Sequence, residues 1–199
     1  TEFLEAASMA SGDFNRDGVP DIVVPNFRSN DISLLLGNGY ATFQPQRLIV
    51  TGSGPISVTV ADVNGDGNPD VLAPNRGTDT IGILLGNGDG SFRPMAAFAV
   101  GNRPGGVVAA DMNGDGKFDL AVSNYDESTV SVLLGNGDGT FQPHQKFDTD
   151  LGPGNVETAD VDGDGDFDLI TANYISGTVS VLRGLGDGTF ATQQPFAAG

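Results

Sequence analysis

The sequence contains no cysteine and no tryptophan, a single histidine, and only 9 basic residues in 199. Without cysteine there can be no disulfide, no thiolate metal site and no cysteine nucleophile, so a loop-rich fold must be tied together by other means. Lys and Arg number 9 against 26 Asp and Glu, a formal net charge of −17, and the two lysines, Lys117 and Lys146, stand far apart. That balance argues against nucleic acid and anionic membrane surfaces, which need clustered cations. No apolar run approaches the roughly 18 residues of a spanning helix, so no membrane insertion is expected. No leader is visible, and the chain opens on Thr1. No stretch holds an amphipathic helical period long enough to predict a helix.

What is abundant is glycine, at 30 residues, and aspartate in a fixed pattern. The segment DFNRDGVPD at Asp13 returns as DVNGDGNPD at Asp62, DMNGDGKFD at Asp111 and DVDGDGDFD at Asp160, each step being 49 residues. A second word keeps the same step: LLGNGYATF at Leu35, LLGNGDGSF at Leu84, LLGNGDGTF at Leu133 and LRGLGDGTF at Leu182. A fixed period of this size signals a solenoid, propeller or array. Within the second repeat, residues 55–62, 70–75, 79–86 and 91–101 read as four short strands punctuated by Gly and Asn. Four antiparallel strands per repeat describe a propeller blade. The predicted fold is therefore all-β: one repeat domain over 1–199, with four blades at about 4–52, 53–101, 102–150 and 151–199, closed alone or completed by oligomerisation. The Gly-His and Trp-Asp signatures of WD40 repeats are absent, and a kelch repeat would not require an acidic loop.

The acidic loop falls between the first and second strands of each blade. Its side-chain oxygens stand at loop positions 1, 3, 5 and 9: Asp13, Asn15, Asp17 and Asp21; Asp62, Asn64, Asp66 and Asp70; Asp111, Asn113, Asp115 and Asp119; Asp160, Asp162, Asp164 and Asp168. Position 7, held by Val19, Asn68, Lys117 and Asp166, can offer a backbone carbonyl. Gly18 at position 6 permits the reversal that wraps a chain around an ion. Oxygen-only, carboxylate-rich ligation suits a hard cation, Ca²⁺ before Mg²⁺. An EF-hand would close with Glu at position 12, where this chain has Val24, Ala73, Val122 and Thr171. The competing reading is an Asp/Asn/Gly turn whose side chains cap backbone amides. Four copies in register favour the ion, because three or four carboxylates per loop repel one another when uncompensated. Four Ca²⁺, eight positive charges, would bring the formal charge from −17 to −9. The expected role is structural, about four Ca²⁺ with one per repeat. The loop offers no open coordination position, and no nucleophile or general base stands beside it, so no enzyme is expected.

The word D-x-[DN]-x-D-G-x-x-D, followed about 15 residues later by TVSVLLGNGDGTF, resembles the FG-GAP or VCBS-type repeat. Such repeats build the propeller of integrin α-subunits and occur in bacterial surface proteins and some fungal lectins. The resemblance covers all four repeats. It implies propeller blades with one Ca²⁺ per loop, secreted or cell-surface placement, and adhesion or binding of a protein or glycan ligand. The alternatives are a lectin, an accessory propeller domain of a secreted enzyme, and a structural subunit of a surface assembly.

The end repeats depart from the pattern. Tyr40 replaces the Asp of GDG in the first, which also has Glu5-Ala6 where Pro55, Pro104 and Pro153 enter the others. The fourth has Arg183 where the others have Leu36, Leu85 and Leu134. Divergent ends suit caps or interface units, hence a possible homo-oligomer through the end blades. Completing one end blade with strand from the other would fall to Thr1–Leu4. For a ligand, the candidates are Phe27, Arg76, Tyr125 and Tyr174, each following a repeated Asn in the loop between the second and third strands. An aromatic beside polar groups can stack on a sugar, although turn capping by Asn26, Asn75, Asn124 and Asn173 is the favoured explanation there. The GNGDG loops could hold a further cation through Asp89 or Asp138, but a glycine-built hairpin is the favoured reading. His144 breaks the repeat and reads as a solvated surface residue.

Overall fold

A computed structural model describes residues 8–198. Thr1–Leu4 and the Glu5-Ala6 entry lie outside the described residues. The described chain is all-β and forms four four-stranded antiparallel sheets, each drawn from one 49-residue segment. Sheet 1 orders β1 (Ala10–Gly12), β2 (Asp21–Asn26), β3 (Asp31–Leu35) and β6 (Arg47–Val50). A two-stranded ribbon, β4 (Gly37–Gly39) with β5 (Thr42–Phe43), projects from it. Sheet 2 comprises β7 (Thr59–Ala61), β8 (Asp70–Asn75), β9 (Thr80–Leu84) and β10 (Ala96–Ala99). Sheet 3 comprises β11 (Pro104–Ala110), β12 (Asp119–Asn124), β13 (Thr129–Leu133) and β14 (Gln145–Asp148). Sheet 4 comprises β15 (Pro153–Ala159), β16 (Asp168–Asn173), β17 (Thr178–Leu182) and β18 (Gln194–Ala197).

The register repeats with the sequence: Ile22 opposes Leu35, Val71 opposes Leu84, Leu120 opposes Leu133 and Leu169 opposes Leu182. The fourth strand of the second repeat begins at Ala96, later than the predicted 91–101. The intervening Phe92 instead makes an isolated bridge to Gly86 that closes the GNGDG turn. Pro94, which lacks a backbone donor, follows before the ladder starts.

The sheets stack face to face through three apolar cores. The first joins Val23, Ile32 and Leu34 of sheet 1 to Val71 and Leu84 of sheet 2. The second joins Leu72, Ile81 and Ile83 to Leu120, Val122 and Leu133. The third joins Ala121, Val130 and Val132 to Val156, Leu169 and Leu182. Strands β8 and β12, covered on both faces, read as nearly continuous apolar runs, as two-sided burial demands. Each such buried Leu or Ile contributes roughly 1.5–3 kcal/mol. An edge-on aromatic pair marks every junction: Phe14–Phe92 at 5.6 Å, Phe98–Phe141 at 5.4 Å and Phe147–Phe190 at 5.3 Å between centroids. Hydroxyls stitch the inner strands together, Ser57 donating to the Gly105 carbonyl and Thr59 to that of Val107. Among the described residues no core joins sheet 4 to sheet 1. Met9 and Leu48 at one end and Val161 and Phe196 at the other are exposed.

Candidate metal-binding loops

Each acidic loop connects the first two strands of its sheet, and the same acceptor oxygens recur at each, with one donor changed in the fourth, where Asp160 Oδ1 accepts from Gly163 and not from position 5. In the first, both oxygens of Asp13 accept from the chain they enclose, Oδ1 from the Asp17 amide at 3.1 Å and Oδ2 from Gly18 at 2.9 Å. Asn15 Oδ1 also accepts from Asp17 N, and Asp17 Oδ1 accepts from the Val19 amide. The second and third loops repeat these bonds through Asp62, Asn64 and Asp66, and through Asp111, Asn113 and Asp115. Position 7, whose carbonyl is the expected ligand, gives its amide to the position-5 carboxylate in every loop, from Val19, Asn68, Lys117 and Asp166. Position 6 is left-handed throughout, with φ of 80° at Gly18, 79° at Gly67, 82° at Gly116 and 95° at Gly165. Glycine is the residue that adopts this without strain. At position 4, Arg16 takes φ 58° where the other loops have glycine, and its guanidinium crosses to the Asp66 carbonyl of the next loop at 3.4 Å.

The closing aspartates, Asp21, Asp70, Asp119 and Asp168, are fully buried. One oxygen of each accepts the position-2 amide, from Phe14, Val63, Met112 or Val161. The other accepts the amide of the glycine 16 residues on, Gly37, Gly86, Gly135 or Gly184, at 2.7–2.8 Å. This bond joins the two repeated words of the sequence. It also explains the glycine: a Cβ on Gly135 would stand 2.1 Å from the Phe118 carbonyl oxygen. The four glycines were missed as site residues in the sequence, where strict recurrence at 49-residue steps is their signal. Burial pushes the Asp70 carboxyl up to about 6, against the pull of its two amide donors, with Asp62 and Asp66 adding repulsion. Burial likewise raises Asp119. The Asp66 carboxyl is held below its ordinary value, chiefly by the Asn68 amide.

This donor set fits a hard divalent cation, being all oxygen with a buried carboxyl that a positive charge would relieve. The fourth loop carries Asp162 where the others have Asn. It brings Asp160, Asp162 and Asp168 together with one oxygen from each within 4.8 Å of the others. Cationic side chains stand beside the loops: Arg93 is 3.5 Å from Asp66, Lys117 is 3.2 Å from Asp115 and Arg183 is 3.8 Å from Asp162.

The remaining candidates do not converge. Phe27, Arg76, Tyr125 and Tyr174 lie one per sheet. The Phe27 ring packs on Gly54, the Arg103 guanidinium lies 5.1 Å above the Tyr125 ring, and Tyr174 is largely exposed. The preceding asparagines tie the loop to the third strand: Asn26 donates to Asp31 and Ser33, Asn124 to Thr129 and Ser131, and Asn173 to Thr178 and Ser180. In the GNGDG turns, Asp89 accepts the amide and hydroxyl of Ser91, and Asp138 those of Thr140. Those bonds, the hydroxyl's first, hold both carboxyls below their ordinary value. His144 is not the solvated residue expected from its uniqueness. It is partly buried, its Nδ1 lies 2.8 Å from the Ser131 hydroxyl, and burial lowers its pKa. Ser131 stands on the strand paired with β14, a neighbour that sequence distance conceals.

No curated protein matches the chain in sequence. Among solved structures it is similar to a functionally unknown protein from Desulfotomaculum acetoxidans DSM 771, with a TM-score of 0.71 at 19% identity over 97% of this chain and 58% of that one. It also resembles BBS1N from its complex with ARL6DN, with a TM-score of 0.68 at 11% identity over 96% of this chain and 56% of that one. Virginiamycin B lyase from Staphylococcus aureus gives a TM-score of 0.64 at 12% identity over 98% of this chain and 56% of that one. These likenesses establish a propeller-like fold, and the chain spans a little over half the length of each. The FG-GAP-like repeat matches at residues 13–73, 72–122 and 111–171, windows that together take in the first acidic loop through the fourth. With its loops, glycines and sheets all recurring in step, the chain belongs to the FG-GAP-like repeat family.

Proposed function

We propose that the chain is a non-catalytic, calcium-stabilised propeller module, secreted or displayed at a cell surface, that binds a protein or glycan ligand. The observation that carries this reading is the acidic loop, built four times on the same acceptor oxygens and closed each time by a fully buried aspartate. An uncompensated charge in that position is costly, and a bound cation offsets it. Asp13, Asn15, Asp17 and Asp21, with their equivalents in the other three loops, would hold the ions. Each ion would clip the first strand of a sheet to the second in a chain that has no disulfide. The non-catalytic part is supported by the best-placed nucleophile and base pair. Ser131, against His144, is fully buried, and its oxygen already accepts from Gly101 and Asn124.

The test is thermal unfolding in Ca²⁺ and in chelator. Four sites held well above their dissociation constants stabilise the fold enough that chelation lowers the Tm by more than about 10 °C. An unchanged Tm, with calorimetry registering no Ca²⁺ uptake, overturns the reading.

A further inference from the structure

The three junctions between sheets share a detail beyond their aromatic pairs. Leu36 of sheet 1 covers Gly90 in the GDG turn of sheet 2, Leu85 covers Gly139, and Leu134 covers Gly188. No Cβ fits beneath the leucine: one on Gly139 would lie 2.8 Å from Leu85 and one on Gly188 would lie 2.6 Å from Leu134. Both halves of this latch change at the ends. Sheet 4 has Arg183 in place of the leucine, and the turn of sheet 1 has Ala41 in place of the glycine, beside Tyr40. Tyr40 and Ala41 hold left-handed φ of 53° and 57°, which turns a fully exposed tyrosine ring outward from the ribbon.

The faces behind these two positions are the two halves of a fourth junction. On sheet 4, Val161, Ile170, Val181 and Phe196 line a cleft of about 740 Å³ rimmed by Arg183. Their counterparts in sheet 2, Val63, Leu72, Ile83 and Phe98, pack against sheet 3. On sheet 1, Phe43 ends the same repeated word as Phe92, Phe141 and Phe190, each of which fills a junction, yet it is 39% exposed.

We infer that a second copy of this chain docks head to tail, the exposed face of sheet 1 on one copy seating in the sheet 4 cleft of the other. Phe43 enters against Phe196. Arg183 spans the turn that Ala41 closes to leucine and lies over the Tyr40 ring, an attraction this chain already uses where Arg103 covers Tyr125. An arginine meeting this turn from the preceding sheet also has a precedent, since Arg47 donates to the Gly90 carbonyl at 3.3 Å. The 3.8 Å contact of Arg183 with exposed Asp162 is too weak to hold the side chain back. Two copies joined in this way close a ring in which both head-to-tail contacts are made.

The test is sedimentation velocity of the whole chain in Ca²⁺, with Phe43→Asp, Phe196→Asp and the double variant alongside. The wild type is expected at twice 20.4 kDa. Each single variant is expected as a monomer with an unchanged circular dichroism spectrum, because its residue is exposed in the isolated chain. A carboxylate in the apolar junction should raise the dissociation constant at least about a hundredfold. Mixing the two single variants restores a dimer, since one face on each remains intact, whereas the double variant stays monomeric in every mixture. A wild-type monomer at every concentration overturns the inference. So does a ladder of larger species, or single variants that remain dimers.

Discussion

Sheets 2 and 3 carry the same two repeated words as sheets 1 and 4, yet the two pairs differ in how they are buried. Strands β8 and β12 are buried at all six positions, whereas β2 alternates and β16 leaves Ala172 exposed. Phe98 and Phe147 each meet the phenylalanine of the next sheet, while their equivalent Phe196 faces outward. Burial in this architecture is therefore conferred by the neighbour and not by the strand. What belongs to a sheet alone, its acidic loop and its aspartate clip, should not depend on where the sheet stands.

Truncation of matched core positions gives the largest contrast. Leu72 is fully buried between sheets 2 and 3, and Leu72→Ala should cost about 2–5 kcal/mol. Its equivalent Ile170 is only partly buried on the outer face of sheet 4, and Ile170→Ala should cost less than half as much. Urea unfolding in dilute solution measures both, and equal losses would break the distinction between inner and end sheets.

The aspartate clip supplies the opposite expectation. Asp119→Ala strips the Met112 and Gly135 amides of their acceptor, and Asp168→Ala does the same to Val161 and Gly184. Each change should cost about 2–4 kcal/mol without Ca²⁺, since an unsatisfied buried donor costs roughly 1–3 kcal/mol. Here sheet 3 and sheet 4 should agree, because the bonds lie within one sheet. A much smaller loss in Asp168→Ala would mean that the end sheet is loose in itself as well as uncovered.

The repeat, its strands and the acidic loops were legible in the sequence because each is a local pattern recurring every 49 residues. The bond from Asp21 to Gly37 was not, although both words containing those residues were. A carboxylate that reaches an amide 16 residues away follows from the hairpin's geometry and leaves no local signature. Phe92 reads as a strand residue by type, and only the packing reveals it as the knob that fills the preceding sheet's face. Ring closure was illegible for a related reason: a repeat specifies the angle between neighbours only through how its faces pack.

At their four side-chain ligand positions the loops differ once, in charge, where Asp162 of the fourth stands for an asparagine of the others. Asp162 gives the fourth loop an extra carboxylate, and on the calcium reading it binds the ion tightest. Asp162→Asn should weaken that site about tenfold, or about 1.4 kcal/mol, and Asn113→Asp should tighten the third loop by a similar factor. Titration calorimetry resolves the two changes. Four identical sites in the wild type would remove charge count as the determinant.

The smallest effect concerns His144 in sheet 3, where the other sheets have Gln46, Met95 and Gln193. Burial and the nearby Lys146 favour its neutral ring, Glu127 opposes them, and the Ser131 hydroxyl lies within hydrogen-bond distance of Nδ1. The folded-state pKa therefore lies below the ordinary 6.5. Above that value both states are neutral and the full stability is present. As pH falls through it the unfolded chain gains the proton first, so stability declines toward the lowered folded pKa and then levels. The Tm of the wild type should accordingly fall between pH 7 and 5 by more than that of His144→Gln, which places in sheet 3 the side chain that sheets 1 and 4 already use. The carboxylates titrate in both proteins, so the difference between the two curves isolates the imidazole. Parallel curves would mean that His144 is solvated after all, and that its bond to Ser131 contributes nothing the glutamine lacks.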